Sequence, residues 1–370
     1  MMLPKAPKDV GRLSDVFTSA LASVGGGGEN RLRLPKVKHA IVILVDGLGF
    51  ENLTQNKAYA RFMNSKLVGS LRCEFPSTTS TSLTGLATGL RSGQHGVIGY
   101  SVYSRQLGTQ RNLLTGWLNR GEASEFKKAE DLSSSAKTTT SVIGPEQYAA
   151  TGFTELTMSG ANYVTAESLA DRFAAALQIS SQDSSSLTYL YVPELDQLAH
   201  RFGVESTKWL EALEALDAEI SVFETKLSQN SGVILTADHG VLDVPSEHHV
   251  YLDEFKRFTD FVIASAGDPR CNFLYLNEGV DSEEFSSWLN DEFGHLAYVC
   301  TQGVLEDSGW VTSPSVAIED YVPDIYLIWH KDYVGYDRRT AKPHHLKLIG
   351  QHGSITDRET RIPLVRFGAF

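Results

Sequence analysis

The chain has 370 residues, with 33 Lys and Arg against 45 Asp and Glu, a formal charge of −12. That length exceeds one small domain and implies two domains, or one large α/β domain carrying an insertion. Hydrophobic residues at 42% and charged residues at 21% exclude a disordered chain, and the acidic balance excludes a protein that coats nucleic acid. Three cysteines, Cys73, Cys271 and Cys300, with no C-x-x-C pair, exclude a disulfide framework and a thiolate zinc site.

At the N-terminus, Lys5, Lys8, Asp9, Arg12 and Asp15 interrupt any apolar signal segment. No apolar run approaches the ~18 residues of a membrane span. The expectation is a soluble, cytoplasmic protein with no membrane partner. Residues 16–24 read as a short helix, and Gly25 to Gly28 break it into a loop. Residues 39–45 (HAIVILV) form a continuous apolar run of mostly β-branched residues, the pattern of a parallel strand buried on both faces. The run ends at Asp46-Gly47, and strand ends are where open α/β sheets place ligands.

Residues 80–89 enter a helix after Pro76, with Thr79 or Ser80 at its start. Residues 119–140 are polar and read as variable surface. Thr165 is placed as N-cap of a helix running to about residue 178, with Glu167 in its first turn, and residues 180–186 as a polar loop. Residues 187–192 (LTYLYV) predict a second buried strand, leading into Pro193-Glu194-Leu195-Asp196. Ser206 or Thr207 caps a long helix whose stripe is Trp209, Leu213, Leu216, Ile220, Phe223 and Leu227. Residues 233–237 predict a third strand, ending at Asp238-His239-Gly240; strand, helix and strand in this order make a right-handed βαβ unit.

Beyond this the pattern is mixed. Short strands are expected at 273–276, 297–301 and 325–329, and a helix at 282–293. The expected division is a catalytic core of residues 1–245 and 344–370, with 246–343 as an inserted α+β cap. No internal repeat is visible. The closing segment carries Gly350-Gln351-His352-Gly353.

Three predicted strands thus lead into Asp46, Asp196 and Asp238, and histidines stand at His200, His239 and His352. Mixed carboxylate and imidazole ligation suits Zn²⁺, and Mn²⁺ less well. Asp196 and His200 share a face if a helical turn begins there. Asp238 and His239 can aim at one ion only at the bent end of a strand. Each element has a plainer reading. Asp46 can be a turn or cap residue, Asp196 and His200 a surface pair, and His352 a turn histidine. The run Phe75-Pro76-Ser77-Thr78-Thr79-Ser80-Thr81-Ser82 supplies hydroxyls that either cap the next helix or present a nucleophile at its N-terminus. No G-x-S-x-G elbow occurs, which disfavours ordinary esterase chemistry.

Five motifs now stand in order: Val45-Asp46-Gly47; Pro76-Ser77-Thr78-Thr79 with Thr88-Gly89-Leu90 and His95-Gly96; Asp196-x-x-x-His200; Thr236-Ala237-Asp238-His239-Gly240; and Gly350-Gln351-His352-Gly353. Together they resemble the alkaline phosphatase superfamily, and within it the nucleotide pyrophosphatase/phosphodiesterase family. The likeness runs from about residue 38 to 363 and is weak across the insertion. It implies a three-layer α/β core with a central, mostly parallel sheet and a smaller inserted cap. It also implies one zinc held by Asp196, His200 and His352, and a second held by Asp46, Asp238 and His239, with the nucleophile as a further ligand. The family threonine stands nine residues before the threonine of the T-G-L step, which gives Thr79, with Thr78 as the next candidate.

The implied activity is hydrolysis of a small phosphate ester or nucleotide by a phosphodiesterase or nucleotide pyrophosphatase. The alternatives are a phosphomonoesterase, a phosphonoacetate-hydrolase-like enzyme, or a catalytically silent metal-binding protein. A sulfatase is disfavoured, since no C-x-P-S-R segment exists. There are two departures from the family pattern. Tyr100 stands where family diesterases carry a phosphoryl-binding asparagine, and its phenol is a candidate replacement donor. Ser80-Thr81-Ser82 replaces the family's aromatic-and-Asn step. Tyr251, Trp310, Tyr333 and Tyr336 are candidates for ring stacking or for packing the insertion's own core. His248, His249, His344 and His345 flank it and are expected at the surface or a hinge.

Overall fold

The computed structural model of the protein describes residues 2–8, 10–117 and 129–370. A seven-stranded sheet lies at its centre. In chain order its strands are β1 (His39–Val45), β2 (Leu67–Arg72), β3 (Thr139–Gly144), β4 (Asn162–Thr165), β5 (Ser186–Val192), β6 (Ser231–Thr236) and, last in the chain, β11 (Arg361–Gly368). They lie in the order β2-β11-β6-β1-β5-β3-β4. β1 pairs parallel with β5 and β6, and β3 pairs parallel with β4 and β5. Only β11 runs against its neighbours. This is a mixed α/β fold with a central, mostly parallel sheet.

β1 is buried at all seven positions, which is why its sequence is continuously apolar rather than alternating. In the register, Val45 faces Val192 and Leu44 faces Thr236, so β1, β5 and β6 end level with one another. Their C-terminal ends therefore deliver Asp46, Asp196 and Asp238 to one edge of the sheet.

Helices cover the sheet. α1 (Ser14–Ser23) packs on β1 and on α2 (Thr79–Thr88), with Phe17 edge-on to Tyr189 at 5.6 Å. α3 (Leu169–Ser180) packs on β3, β5 and α5 (Thr207–Lys226). α4 (Glu194–Phe202) follows β5 directly. The Ser206 side chain accepts the Trp209 N–H and starts α5, whose stripe of Trp209, Leu213, Leu216, Ile220 and Phe223 is buried. No helix among the described residues is long and apolar enough to cross a membrane.

Two expectations are corrected, and one strand is added. Thr165 does not cap α3: it closes β4 opposite Gly144, and the Ser168 hydroxyl accepts the Asp171 N–H instead. The 119–140 stretch is not uniformly surface. Part of it, 119–128, lies outside the described residues, but Thr139 opens β3, where Thr140 and Ser141 are buried because a short β-branched or small side chain fits a pleated surface. β11 carries no strand signal in sequence, since Pro363 interrupts it; tertiary pairing with β2 and β6 overrides that.

A second sheet follows β6 in the chain: β7 (Val262–Asp268), β8 (Cys271–Leu276), β9 (Ala297–Cys300) and β10 (Ile325–Trp329), antiparallel in the order β7-β8-β10-β9. Both of its faces are buried, by period-2 alternation. Cys271, Phe273, Tyr275, Tyr326 and Ile328 join the main core. Leu274, Leu276, Ile325, Leu327 and Trp329 pack with Phe285, Leu289 and Phe293 of α6 (Ser282–Phe293) in a smaller core. The segment is therefore fused to the catalytic body along a sheet face.

The β7–β8 turn contains Arg270, which pins this fusion. Its Nε and Nη2 donate to the Glu359 carboxylate at 3.0 and 2.8 Å, and neither side chain is exposed. Arg270 Nη1 also donates to the Tyr333 carbonyl at 2.6 Å. Removing one member of a buried pair leaves the other charge uncompensated. Arg270→Ala is expected to cost about 3–5 kcal/mol in chemical denaturation; an unchanged midpoint would show that the pair is not the pin.

Candidate active site

The turn after β1 is set by Gly47. Its φ is +72°, and a Cβ there would meet Asp196 Cβ and Oδ1 at 3.0 Å. Glycine thus lets the Asp46 turn approach Asp196. The Gly47 N–H donates to Asp238 Oδ1 at 3.2 Å. Asn52 clasps the same turn to the chain beyond His239. Its Oδ1 accepts the Gly49 and Val241 N–H groups, and its Nδ2 donates to the Val241 carbonyl.

Two groups of candidate metal-binding side chains form at this edge: Asp196 with His200 and His352, and Asp46 with Asp238 and His239. In the first, His200 Nε2 lies 3.2 Å from Asp196 Oδ2, and His352 Nε2 lies 4.0 Å from Asp196 Oδ1. In the second, His239 Nε2 lies 3.4 Å from Asp46 Oδ1 and 3.5 Å from Asp238 Oδ2. The rings of His239 and His352 stack at 3.7 Å, which joins the groups into one centre. The irregular end of β6 aims both Asp238 and His239 inward.

All three imidazoles are oriented in the same way. Nδ1 of His200 donates to the Gly350 carbonyl at 2.7 Å, Nδ1 of His352 to the Ser77 carbonyl at 2.9 Å, and Nδ1 of His239 to the Gly240 carbonyl at 3.3 Å. With each Nδ1 committed to a carbonyl, each Nε2 faces carboxylate oxygens. Such an arrangement is repulsive unless a proton or a cation lies between them. Three carboxylate oxygens, Asp46 Oδ1, Asp196 Oδ1 and Asp238 Oδ2, are buried without a hydrogen-bond partner. Orphaned acceptors facing oriented imidazole lone pairs are the donor set of a divalent cation.

The electrostatics agree. Burial, then the charges of Asp238 and Asp196, hold the Asp46 carboxyl well above its ordinary range. Burial also raises Asp238, against the pull of His239. Burial opposes charge on His200, but Asp196 beside it prevails and raises the ring to about 9. His352 is pushed well down by burial and by His239.

Thr79 is the first residue of α2 and is almost fully buried. Its hydroxyl donates to His239 Nε2 at 3.1 Å. Thr78 is the N-cap, and its hydroxyl has no partner. Ser77 ties α2 to the last motif: its hydroxyl donates to the Ser354 carbonyl at 2.6 Å and accepts the Gly353 N–H at 3.1 Å. Ser80 is turned away, onto the Gly99 carbonyl.

Several residues at the site went unread in the sequence. The Tyr191 hydroxyl donates to Asp46 Oδ2. Tyr148 meets the Tyr191 ring edge-on at 5.6 Å, and its pKa is raised by burial and by Asp46, Glu194 and Asp196. A phenol within the apolar 187–192 run was the one available signal for Tyr191. Tyr100 is held by its side chain to Asn112. His95 stands apart from both groups; burial pushes its ring down to about 3, and its Nδ1 accepts the Val97 N–H.

The proposed stacking aromatics are packing residues. Trp310 donates to the Pro4 carbonyl and lies against Phe75, and Tyr336 is buried with its hydroxyl on the His345 carbonyl. Tyr333 stacks on His248, and Arg338 covers Tyr251. His249 meets Tyr336 edge-on, and His344 meets His345. Among the described residues none of these four histidines joins a candidate metal group.

Residues 40–354 match the profile of the type I phosphodiesterase / nucleotide pyrophosphatase family. The chain belongs to this family, which is one of hydrolases. Its fold is that of murine ectonucleotide pyrophosphatase / phosphodiesterase 5, with 17% identity, a TM-score of 0.65, and coverage of 88% of this chain and 87% of that one. An inactive variant of the murine protein in complex with AMP is similar at TM-score 0.66 and 16% identity, over 89% and 88% of the two chains. The human counterpart is similar at TM-score 0.66 and 14% identity, over 89% and 87%. Alkaline phosphatase PhoK of a Sphingomonas species is 33% identical over 85 residues, 21% of this chain and 15% of that protein.

Tyr191 gives the test of this geometry. A hydrogen bond that orients a metal-ligating carboxylate is worth about 10–100-fold in metal affinity. Tyr191→Phe is expected to weaken zinc binding by that factor, measured by competition with a chromophoric chelator. Equal affinity would show that the phenol does not orient Asp46.

Proposed function

We propose that the protein is a two-zinc phosphodiesterase or nucleotide pyrophosphatase that acts through Thr79 on a small phosphate diester or nucleotide. Manganese is the second candidate ion. The observation that carries this reading is the set of three Nδ1-anchored imidazoles whose Nε2 atoms face the carboxylates of Asp46, Asp196 and Asp238, each with one buried oxygen lacking a partner, beside the Thr79 hydroxyl. Asp196, His200 and His352 would hold one ion, and Asp46, Asp238, His239 and Thr79 the other. A pair of cations there would favour the Thr79 alkoxide and take up the charge that develops on the leaving oxygen.

The chain's own residues supply the rest. The Thr79 hydroxyl lies 3.1 Å from His239 Nε2, which places Oγ beside the same donor set. Backbone N–H groups of the first turn of α2 face the phosphoryl oxygens, with the helix dipole behind them. Thr79 Oγ forms the new P–O bond as the bond to the leaving alcohol or phosphate breaks and that group takes up a proton, giving a threonine ester that keeps the substrate's other substituent, a nucleotidyl-threonine when the substrate is a nucleotide. Water then cleaves that ester and restores the threonine. The Tyr100 phenol is the candidate donor to a phosphoryl oxygen. Residues 246–343 are the segment we assign as the cap, on the rim of this edge.

The AMP complex of the murine neighbour supports a nucleotide as substrate, and membership of a phosphodiesterase family supports a diester. The local likeness to an alkaline phosphatase supports one rival reading, a phosphomonoesterase. Zinc-loaded protein is expected to hydrolyse bis-p-nitrophenyl phosphate faster than p-nitrophenyl phosphate, and chelation should abolish both. Thr79→Ala should lose at least about 10³-fold in kcat with zinc content intact, on the scale of removing a nucleophile. Undiminished turnover in that variant contradicts the assignment of Thr79, and dominant monoester turnover favours the rival.

A further inference from the structure

β7 ends at Asp268, a carboxyl from the second sheet that reaches the catalytic edge. It lies against the last motif: a Cβ on Gly353 would stand 2.8 Å from Asp268 Cβ and 3.3 Å from its Cγ. Gly353, at φ +127°, is the residue after His352, so a glycine admits the Asp268 side chain beside the centre. On its other side are the Thr78 hydroxyl and the Tyr100 N–H. Thr78 precedes the proposed nucleophile, and Tyr100 stands at the expected phosphoryl-donor position. Asp268 is thus enclosed by neighbours of the reactive residues.

The carboxyl is 6% exposed, and its Oδ2 is buried with no hydrogen-bond partner. Among the described residues no lysine or arginine forms an ion pair with Asp268. The nearest arginine in sequence, Arg270, is committed to Glu359. The chargeable groups around it include His200, Glu359, Tyr100 and Cys271. Burial pushes its pKa up to about 7, against the Tyr100 N–H and the Thr78 hydroxyl, so above that pH it carries charge.

A buried negative charge that no lysine or arginine pairs with among the described residues, placed beside a phosphoryl pocket, acts on the charge of what enters. Its repulsion doubles from a singly to a doubly charged phosphoryl group, and the low local dielectric magnifies the difference. A diester carries one negative charge, and a monoester carries two at alkaline pH. We propose that Asp268 is a charge-discriminating residue of the substrate pocket, which admits diester monoanions and disfavours monoester dianions. The proposal rests on the reading of Thr79 as the nucleophile of a two-cation ester hydrolase.

The test compares kcat/KM for bis-p-nitrophenyl phosphate and p-nitrophenyl phosphate at pH 8.5 in the zinc-loaded wild type, Asp268→Asn and Asp268→Ser. In both variants diester kcat/KM should rise about tenfold and monoester kcat/KM by about the square of that factor, so that the monoester-to-diester ratio rises about tenfold. Inorganic phosphate, a dianion at that pH, should inhibit the variants at correspondingly lower concentration. A ratio unchanged in active variants, or a parallel loss of both activities, overturns the filter and leaves the catalytic reading standing. A wild type that turns over neither ester overturns the catalytic reading, and the filter with it.

Discussion

Asp46 and Asp238 are buried at the level ends of adjacent strands, with the half-buried Asp196 in the first turn beyond a third, and the crowding raises the cost of ionising Asp46 and Asp238. Three carboxylates in such a space cannot all be charged without positive charge among them. The fold nevertheless commits itself to this arrangement. β1 is apolar throughout, so the Asp46 turn has no freedom to withdraw. Asn52 clamps that turn to the chain beyond His239, and Tyr191 fixes the Asp46 carboxylate from below. The imidazoles are held by backbone carbonyls from three different segments. Positive ions are the natural resolution, and the rest of the site follows from their placement.

The same constraint accounts for the distant parts of the chain. The last motif has no strand of useful length to carry it: Gly350–Gln351 pairs with only Leu242–Asp243. It is held instead by Ser77 from the start of α2, by His200, whose carbonyl accepts the Ile349 N–H, and by the Arg270–Glu359 pair. The start of α2, the third motif and the second sheet therefore all converge on His352. The β7–β8 turn reaches this motif directly, since Asp268 lies against Gly353.

Much of this is legible in the sequence, for a physical reason. Asp46 and Asp238 close unbroken apolar runs, and such runs mark strands buried on both faces, so their ends locate the ligand edge. Asp196 and His200 sit four apart in the turn that follows a third such run. His352 is found only through the ordered motifs, because Gly350–Gln351 is too short to show a period. Tyr191 is hidden since a tyrosine in a buried strand reads as packing. Arg270 and Asp268 are hidden because their meaning depends on partners far along the chain; Glu359 is 89 residues from Arg270. The start of α3 was misplaced for a related reason, since Thr165 and Ser168 are equally good caps locally and the pairing of β4 with β3 decides between them.

The most direct measurement is an anomalous difference map recorded at the zinc absorption edge from crystals of zinc-loaded protein. Two peaks are expected about 3.5–4 Å apart, one among Asp196, His200 and His352, the other among Asp46, Asp238 and His239 and next to the Thr79 hydroxyl. A single peak, or none, with the three carboxylates still in place, would contradict the claim that a pair of cations holds this centre together.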